Sequence, residues 1–200
     1  MTMRFAKLSL ITLFSSAVLL SACQSQPSNT ITFTPPSPSV QFNAANQHAI
    51  LNILTRDVRQ QPEVSSYVYN EKIFKLFAEP KPAQIFDQVI KQDLNGKGFR
   101  IAATPAQSNT NVIVNINKFY ADVEQGNLRY KITANVQINV QVQGAKGQFN
   151  KNIGSTRSQE GALRANNANI QKVLEQALNE TVQSIYKDQE IANAINQYSN

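Results

Sequence analysis

Residues 128–142 read L-R-Y-K-I-T-A-N-V-Q-I-N-V-Q-V. Leu128, Tyr130, Ile132, Ala134, Val136, Ile138, Val140 and Val142 take every even position. Arg129, Lys131, Thr133, Asn135, Gln137, Asn139 and Gln141 take the odd ones. Successive side chains of an extended chain point to opposite faces, so this period of two predicts a strand with one buried and one wet face. The same pattern on a helix would spread the apolar residues around the whole circumference. Upstream, Val112, Val114 and Ile116 repeat the alternation, and Glu124-Gln125-Gly126-Asn127 reads as a turn. Downstream, residues 144–147 turn the chain again and 149–158 form a weaker third strand. The three together predict an antiparallel meander with one solvated face.

The sequence on either side of the meander supplies what covers it. Residues 49–58 (A-I-L-N-I-L-T-R-D-V) and 72–78 (K-I-F-K-L-F-A) read as strands. Pro80 and Pro82 stop the second, and Pro82 suits the first turn of a helix. Ile85, Phe86, Val89, Ile90 and Leu94 lie on one helical face, Asn95-Gly96 predicts its end, and 99–102 is a short strand. From Asn167 the period becomes helical again, with Ile170, Val173, Leu174, Ala177, Leu178, Thr181, Val182 and Ile185 on one stripe. Asp188 caps a last helix that holds Ile191 and Ile195. Helical stripes and sheet face must bury one another. The expected fold is therefore α+β: a two-layer sandwich with a mostly antiparallel sheet, a β-α-β unit then the three-stranded meander, and helices packed on one face.

The N-terminus has a different character. Residues 1–7 carry Arg4 and Lys7 and no acid, residues 8–20 are apolar apart from hydroxyls, and Leu20-Ser21-Ala22-Cys23 follows. Basic start, apolar middle and small-residue end make a secretory signal peptide, with Met1 or Met3 as the start. The run is too short for a transmembrane helix, which needs roughly 20 apolar residues. L-S-A-C resembles the lipobox of bacterial lipoproteins, with Leu20, Ser21 and Ala22 as the peptidase recognition residues. In that class the cysteine takes a diacylglycerol on sulfur and an acyl chain, such as palmitate, on its new amino group. Cys23 is the only cysteine of the chain, so the mature protein has no thiol left for a disulfide, catalysis or metal. Gln24, in place of the Asp that retains lipoproteins in the inner membrane, implies the outer membrane. Residues 24–46 are rich in Ser, Pro, Asn and Gln, including P-P-S-P at 35–38. They read as a flexible tether, of which fifteen residues reach roughly 50 Å, with Ile31 to Thr34 (I-T-F-T) as a short strand that docks on the body. The expected organisation is signal peptide 1–22, lipidated tether 23–46 and a single domain 47–200.

Composition narrows the function. Loss of Arg4 and Lys7 with the leader lowers the net charge from +6 to +4, too mild for nucleic acid. His48, the sole histidine, has no ligand partner at a metal spacing and reads as structural. Asp122 and Glu124 share one strand face beside a turn and read as solvated rather than as an acid–base pair. S-N-T-N and G-S-T-R are not nucleophile elbows, and no glycine-rich phosphate loop exists. No catalytic residue, no metal ligand and no cofactor beyond the lipid is expected. The single charge asymmetry is Arg129, Lys131, Lys146, Lys151, Arg157 and Arg164 against Glu160 alone, a candidate contact for an anionic partner.

F-Y-A-D-V-E-Q-G-N-L-R-Y-K-I (119–132) and S-Q-E-G-A-L-R-A-N-N-A-N-I (158–170) resemble the YajG-type lipoproteins of Gram-negative bacteria, a likeness that runs from about Gln47 to Gln197. That family has no assigned reaction. The resemblance implies an envelope lipoprotein on the inner leaflet of the outer membrane, facing the periplasm. The expected role is a non-enzymatic binding or adaptor module for an envelope protein. The alternative is direct binding of peptidoglycan or lipopolysaccharide through the basic residues of 125–165.

Overall fold

The computed structural model describes residues 27–199. In chain order these form β1 (Thr30–Thr32), β2 (Ile50–Asp57), β3 (Ser65–Tyr69), β4 (Lys72–Glu79), α1 (Pro82–Gly96), β5 (Arg100–Ile101), β6 (Thr110–Gln125), β7 (Arg129–Gly144), β8 (Gly147–Ala162), α2 (Asn167–Lys187) and α3 (Glu190–Tyr198). Short 3-10 helices cover Ala44–His48 and Pro105–Gln107. The fold is α+β, with an eight-stranded sheet and three helices.

The meander is its largest part. β6, β7 and β8 are sixteen residues each and pair antiparallel along their whole lengths. In β7 the even residues from Tyr130 to Val142 are buried, as the alternation requires. β6 is longer than its sequence pattern shows. Its inward residues are Val112, Val114 and Ile116, then Phe119 and Ala121. A bulge between Ile116 and Lys118 inserts Asn117 and switches the parity, so the second half of the strand buries its odd positions.

Most of the paired register, in β3–β4, β6–β7 and β7–β8, is antiparallel, and the remaining pairings make the sheet mixed. β2 runs parallel to both β5 and the first half of β6, β3 touches β6 in parallel at Ser65 and Ala121, and β1 lies parallel to β4. Hydrophobic period reports which face a strand buries, not its direction, and a long connection between β2 and β6 permits the parallel pairing. The strands flanking α1 are also not neighbours: β5 joins β2, and β4 forms a hairpin with β3. The stripes of α1, α2 and α3 close one contiguous core with the sheet, and every member of the expected α2 stripe is buried. Asp188 accepts from the Ile191 amide at 2.9 Å, capping α3. α1 ends at Gly96, as Asn95-Gly96 predicts, but Gly96 is not the left-handed residue. The left-handed residue is Gly98, φ +98°, and a Cβ there would lie 2.3 Å from the Asn43 carbonyl.

That contact belongs to a segment expected to be tether. From Ser28 onward the chain is docked. Ile31 and Phe33 are 3% exposed, and the Phe33 ring meets Phe119 edge-on at 5.4 Å. Phe119 in turn meets Phe86 of α1 at 6.4 Å. The Tyr186 hydroxyl donates to the Pro36 carbonyl at 2.7 Å, and the Asn43 amide donates to the Lys97 carbonyl at 3.2 Å. The sequence predicts docking for residues 31–34 alone and a free tether for the rest. The alternating Ile31 and Phe33 and the available backbone partners attach the whole segment, so the folded body begins well before Gln47.

Lys97 ties three segments together. Its carbonyl also accepts from Asn46 at 2.7 Å, while its ammonium donates to Asp93 at 2.8 Å and to the Asp188 carbonyl at 2.9 Å. Both side chains of the Asp93–Lys97 pair are under 10% exposed, and one Asp93 carboxylate oxygen has no hydrogen-bond partner among the described residues. Burial pushes the Asp93 carboxyl up from 3.8 to about 6, against the pull of its Lys97 hydrogen bond. Hydrogen bonds from Lys75 hold Glu63, and from Ser155 and Arg157 hold Glu180, below the usual 4.5.

Two outcomes follow. Phe33→Ala should cost about 3–5 kcal/mol in denaturant unfolding, the cost of emptying an aromatic core site, whereas truncation in an undocked tether costs nothing. Because the folded state holds the Asp93 proton more tightly than the unfolded chain, stability should rise as pH falls through about 6 towards 4. The Glu63 and Glu180 contributions run the other way, present above 4.5 and lost as pH falls through their lowered values. Thermal melts should therefore show a gain from neutral pH to about 5, missing in Asp93→Asn, and a loss in stronger acid.

Candidate functional site

Three helices cover one face of the meander and leave the other open. On β7 that open face carries Arg129, Lys131, Thr133, Asn135, Gln137, Asn139 and Gln141; on β8 it carries Asn150, Asn152, Gly154, Thr156, Ser158 and Glu160. The amides are wired to one another: Asn139 donates to Asn152 at 2.8 Å, and Gln141 donates to Asn139 at 3.1 Å. The Thr133 and Ser158 hydroxyls meet at 3.0 Å. A shallow groove of about 440 Å³ crosses this face at the bulge, lined by Asn117, Gln137, Asn152, Gly154 and Thr156. Gly154 makes the groove possible, because a Cβ there would lie 2.5 Å from the Val136 carbonyl. Beside it, the Asn135 carboxamide oxygen is shielded and accepts from no group among the described residues.

A larger cleft of about 850 Å³ opens at one end of the sheet. Its walls are Pro27, the β3 residues Tyr67, Val68 and Tyr69, the β6–β7 turn at Gln125–Asn127, and Arg164 to Ala168 at the start of α2. The walls are braced. Tyr67 donates to Asn167 at 2.6 Å, and Asn167 donates to the Ser28 carbonyl at 2.6 Å. Gln125 donates to the Leu163 carbonyl at 2.8 Å and accepts from the Ala165 amide at 3.1 Å. Burial, followed by the neighbouring Tyr69, raises the Tyr67 hydroxyl above its ordinary value. Arg164 is exposed and forms no ion pair among the described residues. Sequence reasoning missed both tyrosines. S-S-Y-V-Y-N-E-K-I-F-K does alternate on each side of Asn70-Glu71, and both turn residues have positive φ (48° and 63°). Glu71 in place of glycine hid the hairpin.

The six basic residues do not form one patch. Parity separates them. Arg129 and Lys131 lie on the open face, whereas Lys151 and Arg157 point to the helices. Lys151 pairs there with Asp188 and, at 3.0 Å, with Glu190, and Arg157 pairs with Glu180. The hydrogen bonds it donates to Asp188 and Glu190 raise the Lys151 ammonium above its ordinary value. Lys146 sits in the β7–β8 turn, at the opposite end of the meander from Arg129. Only Arg164 lines the cleft. Asp122 and Glu124 are exposed on the open face, paired in register with Thr133 and Lys131. His48 is held between the Ala45 carbonyl (2.7 Å) and the Ser199 hydroxyl (3.0 Å). Among the described residues no three His, Cys, Asp or Glu side chains gather to hold a metal, and no helix is long and apolar enough to cross a membrane. Leu20, Ser21, Ala22 and Cys23 lie outside the described residues.

Known proteins share both sequence and fold with this chain. Residues 36–196 match the profile of a family described as uncharacterised lipoproteins. The lipoprotein YajG of Escherichia coli K12 is 24% identical over 180 residues, covering 90% of this chain and 92% of that protein. The crystal structure of a protein described as a neuraminyllactose-binding hemagglutinin homologue from Helicobacter pylori superposes with a TM-score of 0.53 at 9% identity. It covers 83% of this chain and 97% of its own, a likeness of fold alone. A Xanthomonas campestris protein gives a TM-score of 0.48 at 15% identity, covering 84% and 95%. The family profile and the Escherichia coli relative agree across the domain: the chain belongs to the uncharacterised lipoprotein family that includes YajG of Escherichia coli.

Proposed function

We propose that acyl chains on Cys23 anchor the chain in the outer membrane, and that its periplasmic domain acts without catalysis as a binding module for another envelope protein. In this reading helices and sheet make two layers, and the uncovered face receives the partner. The observation that carries it is β8. This sixteen-residue strand pairs only with β7, so its outer edge has no strand partner among the described residues. An open edge is a template for an added strand, with main-chain hydrogen bonds giving affinity and adjacent side-chain pockets giving specificity. The groove at Gly154 supplies such a pocket directly beside that edge.

A photo-crosslinking residue at Gln137 or Thr156 should give a discrete protein adduct in living cells, identified by mass spectrometry, while the same residue at Gln92 of α1 should not. Absence of adducts from every open-face position would remove the adaptor reading. For the anchor, Cys23→Ser should leave an unacylated precursor that keeps its leader, seen as a shift in gel mobility.

The cleft favours a second reading, an acidic polymer of the envelope such as peptidoglycan or lipopolysaccharide. Tyr67 and Tyr69 offer ring faces, the turn and α2 offer amides, and Arg164 offers the cation. Here Arg164→Glu should weaken salt-sensitive co-sedimentation with sacculi or lipopolysaccharide by about tenfold, the worth of a charge-assisted hydrogen bond. Charge reversal at Arg129 and Lys131 should not. Unchanged binding in Arg164→Glu would sink this reading.

A further inference from the structure

The β3–β4 hairpin exposes apolar surface that the fold does not use. Val68 and Ile73 are direct cross-strand partners, 67% and 74% exposed. Their neighbours Tyr67 and Phe74 are also partners, but on the opposite face, where the rings meet at 5.6 Å against the core. The strand pattern therefore places two β-branched side chains together in solvent, with Lys75 on the same face. Lys75 is already paired to Glu63 at 2.7 Å, so the feature of this surface is its apolar pair rather than its charge.

The N-terminal end of the described chain lies against this same hairpin. Pro27 lines the large cleft together with Val68 and Tyr69. It also lines a second hollow of about 550 Å³ with Ile73, Lys75 and Phe77. Its position is pinned. The Phe77 amide donates to the Asn29 carbonyl at 2.8 Å, Asn167 holds the Ser28 carbonyl, and Ile31 sits in register with Ala78. Cys23 precedes Pro27 by four residues, which span at most about 14 Å even when fully extended. Docking of residues 28–46 has thus removed the long reach that their composition suggested. A bilayer that holds the acyl chains of Cys23 must pass within that short distance of Pro27, and hence beside Val68 and Ile73.

We infer that the β3–β4 hairpin is a second membrane contact of the lipoprotein, with Val68 and Ile73 seated in the interface of the bilayer that carries the acylated Cys23. This rests on the anchoring reading above and adds an orientation to it. In the sheet, β4 is followed by β3, β6, β7 and β8. At about 4.8 Å between strands, β8 stands roughly 19 Å from β4. The hairpin contact therefore turns the β8 edge towards the periplasm and sets the mouth of the large cleft next to the lipid surface.

The acylated protein tests this directly, because its only cysteine is consumed by lipid and an introduced thiol is unique. Full-length mature protein carrying Ile73→Cys or Val68→Cys is labelled with an environment-sensitive fluorophore. It is then reconstituted in phosphatidylethanolamine–phosphatidylglycerol vesicles, with Gln137→Cys as the reference position. The label at 73 or 68 should shift to the blue and be quenched by brominated acyl chains, and the label at 137 should do neither. Protein that floats with the vesicles while position 73 behaves like position 137 overturns the contact and leaves the anchor standing. A blue shift without lipid quenching overturns it in favour of a second copy or another protein on the hairpin. Parent protein that takes up the thiol label at Cys23 and fails to float removes the anchor and this contact with it.

Discussion

Parity along the meander is the constraint on which the rest of the structure depends. A strand has two faces and a period of two, so one residue gained or lost sends every later side chain to the other side. β7 keeps a single parity over its buried run from Tyr130 to Val142 and so defines the core face. β6 changes parity once, at Asn117, and that change allows both Ile116 and Phe119 to point inward. Phe119 then reaches Phe33 on one side and Phe86 on the other. The bulge therefore lets one strand serve two sets of neighbours: β2 before it, and β3 and Phe33 of the N-terminal segment beyond it.

The same rule explains what was legible in the sequence. Unbroken alternation made β7 readable, and the 3.6-residue stripes made α1 and α2 readable. The second half of β6 was hidden because Asn117 interrupts the pattern from which a strand is recognised. β8 looked weak for a related reason. Its core-side positions include Lys151, Ser155 and Arg157, which face the acidic ends and flanks of α2 and α3 instead of apolar side chains. Counting charges along 125–165 could not see that two of six cations were turned towards carboxylates on helices that come later in the chain. The apparent basic patch was a property of sequence order, and register dispersed it.

The cleft was illegible for a different reason. It is assembled from four distant places: Pro27, the end of β3, the β6–β7 turn and the start of α2. None of these carries a local motif. The proline-rich segment was legible only at I-T-F-T (31–34), whose spacing predicts a docked strand, and its low hydrophobicity hid the docking of the rest. Ile31 and Phe33 are enough to dock it, since β1 also completes backbone hydrogen bonds that the edge of β4 otherwise leaves to water.

Buried charge at Asp93 and Lys97 follows from the same docking. An ion pair this deep is weak evidence for stability, since apolar residues of similar size often serve as well. Its geometry suggests what it does contribute. Lys97 presents its carbonyl to residues 43 and 46 and its ammonium to the end of α2, three segments that carry no mutual hydrophobic code. Directional bonds specify which of several apolar arrangements forms, and the orphaned oxygen of Asp93 is the cost of using one lysine for all of them. The N-terminal segment is thereby fixed at its far end by Lys97 and at its near end by β1. A chain held at both ends transmits its position to Pro27, and so the fold itself sets where the chain leaves the domain relative to the β3–β4 hairpin.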